Sequence, residues 1–101
     1  MQDRRADHLC RTLDGLRKII DKKPIQFAQV LAYVARRPGI SYQHLIVLLD
    51  LGKATVPRIV DWFCEIGLME AYDNPENRRE KLAYLTPEGK KVVQELLAPF
   101  G

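Results

Sequence analysis

Leu9, Leu13, Leu16 and Ile20 recur at steps of four, three and four. That spacing is one stripe of a helix, so the chain is read as opening with a helix over residues 3–21. Arg4, Arg5, Arg11, Arg17 and Lys18 take much of its remaining surface, and Gly15 weakens it by roughly 1 kcal/mol relative to Ala. A second helix begins near Pro24, whose missing N–H costs nothing in a first turn, and buries Ala28, Leu31, Val34 and Ala35. "RRPG" (36–39) stops it, because the residue before Pro disfavours helix and Gly permits a reversal. Ser41 is a side-chain cap for a third helix. Ile40 before it and Leu45 at the fourth helical position have the spacing of a hydrophobic staple. Leu45, Leu48 and Leu49 form the buried stripe of this helix, and "DLGK" (50–53) breaks it, with Leu51 turned inward and Gly52 allowing the bend.

A fourth helix follows over residues 53–66. Val56, Ile59, Val60 and Phe63 face the core, while Lys53, Ala54, Thr55, Pro57, Arg58, Asp61 and Trp62 are left outside. Gly67 ends it. "LMEAYD" (68–73) and "KLAYLT" (81–86) read as two strands around a Pro-Asn-containing turn, with Tyr72 and Tyr84 placed to pair across the hairpin. Thr86 caps a last helix with Pro87 at its first position; Val92, Val93, Leu96, Leu97 and Phe100 are its apolar residues.

A short helix, a tight turn and a second helix form a helix-turn-helix, and a basic hairpin directly after it makes a winged helix. The fold class is therefore mainly α, with α+β character: a winged helix-turn-helix with a two-stranded β wing and flanking N- and C-terminal helices. At 101 residues the chain reads as a single domain, divided into an N-terminal helix (1–23), a winged-helix core (24–86) and a C-terminal helix (87–101).

Composition narrows the function class. An apolar share of 47% with 29% charged residues is that of a globular protein rather than a disordered tail, and no apolar run approaches the ~20 residues that span a bilayer. "MQDRRADHLC" carries acids and no apolar segment, so it is not a secretory signal, and a cytoplasmic protein with no membrane partner is expected. The net charge of +3 matters only through its placement: spread evenly it is solubility, gathered at a few exposed points it can engage phosphates. His8, Cys10, His44 and Cys64 have no zinc-like spacing, there is no phosphate-cradling glycine loop, and no nucleophile–base arrangement stands out; neither a cofactor, a metal nor an enzymatic activity is expected.

"SYQHLIVLLDLGKATVPRIVDWFCEIGLMEAYDNPENRREKLAYLTPEGKKV" resembles the winged-helix core of the MarR family of bacterial transcriptional regulators, over about residues 25–89. "NPENRREKLAYLTPEG" is the most specific part, similar to that family's wing and the Leu-Thr-x-x-Gly helix start after it. Asn77 stands where the family usually has an Asp two residues before its wing Arg, here Arg79, and Ala71 replaces a commonly basic strand residue. Pro57 lies inside the early recognition helix, where it can tighten or kink the first turn. Full-length members usually continue into a longer dimerisation region than the one present here.

These readings give a candidate site. The N-terminal part of the second helix of such a unit enters the DNA major groove, which assigns Lys53, Ala54, Thr55, Pro57 and Arg58 to base and phosphate contacts. Ser41, Tyr42 and Gln43 open the third helix near a phosphate, although Ser41 is equally explained by capping. The wing lies over the neighbouring minor groove, whose negative potential attracts inserted Arg; Arg79 matches the family's wing Arg, Asn77 orients it, and Arg78 and Lys81 add phosphate contacts. Leu9, Leu13, Leu16, Ile20, Val93, Leu97 and Phe100 exceed what a small core needs and are assigned to dimerisation, with intramolecular packing of the same helices as the alternative. Cys10, next to Arg11, lies where some MarR-type proteins sense oxidants, but a lone helix cysteine is more often a small buried hydrophobe; Cys64 is expected to be inert.

The expected function is that of a homodimeric, sequence-specific regulator of transcription on a palindromic double-stranded DNA site, acting as a repressor by occupancy. The resemblance adds a small-molecule effector in the cleft between the terminal helices and the core. The rival is a winged-helix protein-interaction module without DNA, favoured by Asp61, Trp62 and Glu65 on the fourth helix.

Overall fold

The computed structural model describes residues 3–98. The chain runs through helix α1 (Arg4–Ile20), helix α2 (Ile25–Arg36), strand β1 (Ile40–Ser41), helix α3 (Tyr42–Leu49), helix α4 (Thr55–Glu65), strand β2 (Met69–Asn74), strand β3 (Asn77–Leu85) and helix α5 (Pro87–Leu97). The antiparallel sheet has the order β1-β3-β2. The wing hairpin thus gains a third strand that the hydrophobic pattern did not announce. β1 has only two residues, too few to show alternation, and it pairs Ile40 with Ala83 and Ser41 with Leu82.

The core lies where α2, α3 and α4 meet the base of the wing. Leu31, Val34, Leu45, Val56, Ile59, Val60 and Phe63 are buried, as the helical stripes require, joined by Ile40, Met69 and Ala83 from the sheet. Val30 is also buried, whereas Ala35 is only half-buried, so the inner face of α2 is turned slightly from the expected one. Pro24 occupies the cap before α2, and its carbonyl accepts from the Phe27 N–H at 3.0 Å.

Two chain reversals show why the helices stop where they do. The Leu51 N–H donates to the Ile46 carbonyl at 3.1 Å and the Asp50 N–H donates back to Val47 at 3.4 Å, a Schellman end with Asp50 in the left-handed region at φ 51° and ψ 51°. The reversal therefore sits at Asp50, not at Gly52. At the end of α4 the same pattern recurs, Leu68 N–H to Phe63 O and Gly67 N–H to Cys64 O, with Gly67 at φ 81°.

Three further expectations change. Leu48 is exposed: α3 ends at Leu49, and its core face carries Leu45 and Leu49 with Ile46 beside them. Trp62 is half-buried rather than outside, meeting Phe27 edge to face at 5.5 Å and Phe63 at 5.0 Å between ring centroids. Tyr72 and Tyr84 do meet at 5.9 Å, but diagonally, since the backbone register sets Tyr72 opposite Leu82 and Glu70 opposite Tyr84.

The terminal helices touch each other and the core. Thr12 Oγ1 donates to the Leu96 carbonyl at 3.1 Å, and Val92 and Val93 pack against the core. The stripe assigned to dimerisation is divided by this packing. Leu16 and Val93 are half-buried and Ile20 is buried, while Leu9, Leu13 and Leu97 stay exposed. Phe100 lies outside the described residues. Among the described residues no helix is long and apolar enough to cross a membrane.

Candidate nucleic-acid interface

α3 is positioned by its cap. Ser41 Oγ accepts the His44 N–H at 3.0 Å, while the Ser41 backbone belongs to β1, so the start of the helix is tied to the sheet. α4 begins at Thr55 after the Asp50 reversal. Pro57 is its third residue, where a backbone N–H has no helical partner to lose, and α4 runs through it to Glu65 without interruption.

The wing is longer than "KLAYLT" implied. β3 starts at Asn77, so Arg78, Arg79 and Lys81 belong to the strand, and only Pro75 and Glu76 form the turn. Asn74 Oδ1 accepts the Glu76 N–H at 3.0 Å, and its Nδ2 donates to Glu80 Oε2 at 3.3 Å. Asn77 Oδ1 accepts the Arg79 backbone N–H at 3.2 Å. Asn77 thus orients the strand segment that carries Arg79 through the main chain rather than through the guanidinium.

These elements enclose an open hollow of about 840 Å³. Its walls are Ser41, Tyr42, Gln43, His44, Ile46 and Val47 from the start of α3; Lys53, Pro57 and Asp61 from the turn and α4; and Asn77, Arg79, Glu80 and Lys81 from β3. Eight of the twelve residues assigned to DNA from the sequence share it. Ala54 and Arg58 lie on the other side of Pro57 and Asp61, lining an adjacent groove with Trp62 and Glu65. Thr55 is half-buried at the first turn of α4. Arg78 is exposed but lines neither hollow.

His44, Ile46, Val47, Asp61 and Glu80 were not assigned to this surface from the sequence. Helical spacing from Gln43 to Val47 could have found Val47, which is strongly exposed. Nothing local to β3 announces Glu80.

Lys53, Arg79 and Lys81 bring positive charge to the hollow, and Asp61 and Glu80 bring negative charge to it. Among the described residues no carboxylate lies within ion-pairing distance of Lys53, Arg58, Arg79 or Lys81. Burial, helped by the charges of Cys64 and Asp61, pushes the Tyr42 phenol up to about 12, so it is a hydroxyl donor at neutral pH. Burial first, then Asp61 and Glu70, also pushes the Cys64 thiol up, away from the reactive thiolate. Cys10 is exposed rather than buried. Among the described residues no group of three or more His, Cys, Asp or Glu is placed to hold a metal ion.

No protein-family profile matches the chain. It is 34% identical over 56 residues to YhbI of Bacillus subtilis, an HTH-type transcriptional regulator, covering 55% of the chain and 36% of that protein. It is 27% identical over 67 residues to a protein of Thauera aromatica described as a transcriptional regulator of the hcr operon, covering 66% of the chain and 40% of that protein. Among solved structures, MarR superposes with a TM-score of 0.70 at 27% identity, over 80% of the chain and 54% of MarR. A cysteine-to-serine variant of Escherichia coli MarR, solved with operator DNA, superposes with a TM-score of 0.72 at 21% identity, over 97% of the chain and 69% of that protein. The chain therefore spans well under two thirds of the curated relatives and about half of MarR. Both curated relatives are described as regulators of transcription.

Proposed function

From the winged helix-turn-helix fold that this chain shares with MarR-family regulators, we propose that it binds double-stranded DNA in a sequence-specific way and regulates transcription. One observation carries the reading: Lys53 from the turn before α4 and Arg79 from the wing, twenty-six residues apart in sequence, face one hollow, and among the described residues no carboxylate is paired to either. A duplex presenting its major groove to α4 offers its backbone to Lys53 and the neighbouring minor groove to Arg79 on the wing. In this reading Lys53, Ala54, Thr55, Pro57 and Arg58 meet base edges and the backbone beside them. Ser41, Tyr42 and Gln43 meet the backbone at the start of α3. Asn77, Arg78, Arg79 and Lys81 serve the wing.

The working unit is a homodimer on a palindromic site, acting as a repressor by occupancy. What supports a dimer is the exposure of Leu9 and Leu13 on α1 and of Leu97 on α5, two helices that already touch. A small-molecule effector would sit between these helices and the core.

Selection of bound duplexes from a random pool tests the function directly. A recovered palindrome with half-sites about one helical turn apart is the expected result. Binding to heparin and mixed-sequence DNA should fall steeply with salt, because each neutralised phosphate releases counterions. If retention at low salt is no greater than for other proteins of similar charge, the groove lined by Asp61, Trp62 and Glu65 becomes the better site, and a protein partner replaces DNA.

A further inference from the structure

Arg37 and His44 are joined by a hydrogen bond of 3.1 Å between Nη1 and Nδ1. Arginine has no acceptor, so the guanidinium donates, Nδ1 is the bare ring nitrogen and Nε2 carries the hydrogen. Two donors then face outward: the imidazole Nε2–H and the N–H groups of the guanidinium that His44 does not use. His44 lines the hollow that holds Lys53 and Arg79, and Arg37 is exposed beside it. The backbone of Arg37 is fixed at both ends, its N–H donating to Tyr33 O and its carbonyl accepting from Ile40 N–H, each at 3.0 Å. Among the described residues its guanidinium has no carboxylate partner. A cation on a pinned backbone, steered by a neighbouring ring and lacking an acid, is an arrangement for meeting an anion with little loss of side-chain freedom.

We propose that Arg37 and His44 together form a phosphodiester-binding site, which carries the DNA contact surface past the start of α3 onto the loop between α2 and β1. The site rests on the DNA-binding reading and deepens it. Arg37 supplies the charge and the contact with a phosphate oxygen; His44 holds the guanidinium and adds one neutral donor. Phosphate contacts position a protein without reading sequence, so the site acts equally on specific and nonspecific duplexes.

Fluorescence anisotropy on a mixed-sequence duplex over a salt series separates the outcomes. Arg37→Ala is expected to weaken binding about tenfold and to lower the slope of log affinity against log salt by about one. His44→Ala keeps the guanidinium but frees it; it should weaken binding less and leave the slope unchanged. In the double variant the loss should exceed that of Arg37→Ala only slightly and fall short of the sum of the two single losses, because His44 acts mainly by holding Arg37 and adds one donor of its own. His44→Asn, whose side-chain oxygen can take the place of Nδ1, should recover most of the His44→Ala loss. Unchanged affinity and slope in Arg37→Ala, with Arg79→Ala still weakening binding, would overturn this site and leave the DNA reading standing. If the unaltered protein does not bind the duplex, both fall together.

Discussion

Lys23 Nζ sits 5.6 Å from the centre of the Trp62 ring, and the same ammonium is 5.8 Å from the ring of Phe27. One cation from the α1–α2 turn thus caps an edge-to-face aromatic pair that joins α2 to α4. The pair sets how α4 is held, since Trp62 lies on the same helix as Pro57 and Arg58. Trp62→Ala is expected to lower stability by about 2 kcal/mol, less than for a fully buried ring because Trp62 is half-exposed. Lys23→Ala should cost only about 0.5–1 kcal/mol, the range of an exposed cation–π contact. Urea unfolding of the two variants checks both values.

Gly89 is buried in the first turn of α5, and a Cβ there would run into the Leu68 carbonyl. That carbonyl already accepts the Thr86 N–H at 3.0 Å, and Thr86 Oγ1 accepts the Gly89 N–H at 2.9 Å, so the oxygen has little room to retreat. An ordinary helical glycine gains stability on replacement by Ala, by up to about 1 kcal/mol. Here the sign should reverse, with Gly89→Ala losing about 1–3 kcal/mol and melting at least ~5 °C lower. Gly15→Ala is the contrast: its Cβ would meet the far end of the Leu96 side chain, which can rotate away. Thermal unfolding of the pair distinguishes backbone collision from side-chain crowding.

Most of the helical framework was legible because its signals are local. The stripe Val56, Ile59, Val60, Phe63 and the caps Ser41 and Thr86 are set by spacing and by side chains that bond within three residues. What escaped depends on partners far along the chain. β1 exists because Ala83 and Leu82 come back to meet Ile40 and Ser41, and Trp62 is covered because Phe27 arrives beside it. The candidate site divides in the same way. Lys53 and Arg79 were recognisable as residues of a helix-turn-helix and its wing, but their sharing one hollow with His44 and Asp61 is a property of the packed tertiary structure.

The left-handed turn at Asp50 yields a prediction opposite in sign to most substitutions. A non-glycine residue at φ 51° bears a steric cost that glycine escapes, although Asp tolerates the region better than most. Asp50 is exposed, and among the described residues its side chain makes no hydrogen bond that Gly would forfeit. Asp50→Gly should therefore raise stability by up to about 1 kcal/mol, seen as a higher urea midpoint at unchanged slope. Gly52→Ala should be close to neutral, since the reversal does not depend on it.

Tyr42 makes stability depend on alkaline pH. Its phenol is pushed up to about 12 in the folded protein, mainly by burial and then by Cys64 and Asp61, against 10.0 for an unperturbed tyrosine. An acid whose folded value is raised loses its proton first in the unfolded chain. The contribution is therefore complete below about pH 10 and disappears as pH rises from about 10 through about 12. Tyr42→Phe should flatten that part of the stability profile while leaving neutral pH little changed. Tyrosinate absorbance should lose one of its late-ionising groups in Tyr42→Phe, while Tyr72, raised by its hydrogen bond to Glu70, remains.

Asn77 and Arg79 separate wing geometry from wing charge. Asn77 Oδ1 holds the Arg79 backbone N–H at 3.2 Å and contributes no charge. Arg79→Ala is expected to weaken duplex binding by roughly 1–3 kcal/mol and to reduce the salt slope by about one, because a cation held in the minor groove between the phosphate strands is gone. Asn77→Ala should weaken binding by about 0.5–1.5 kcal/mol, the range of one net hydrogen bond, with the slope intact, since the same cations remain but the strand carrying Arg79 is less well fixed. Neither change should lower the melting temperature appreciably, as both side chains are exposed at the wing tip. A slope that falls equally in both variants would mean that Asn77 acts through the charge of Arg79 after all, and an unchanged affinity in both would remove the wing from the DNA contact surface.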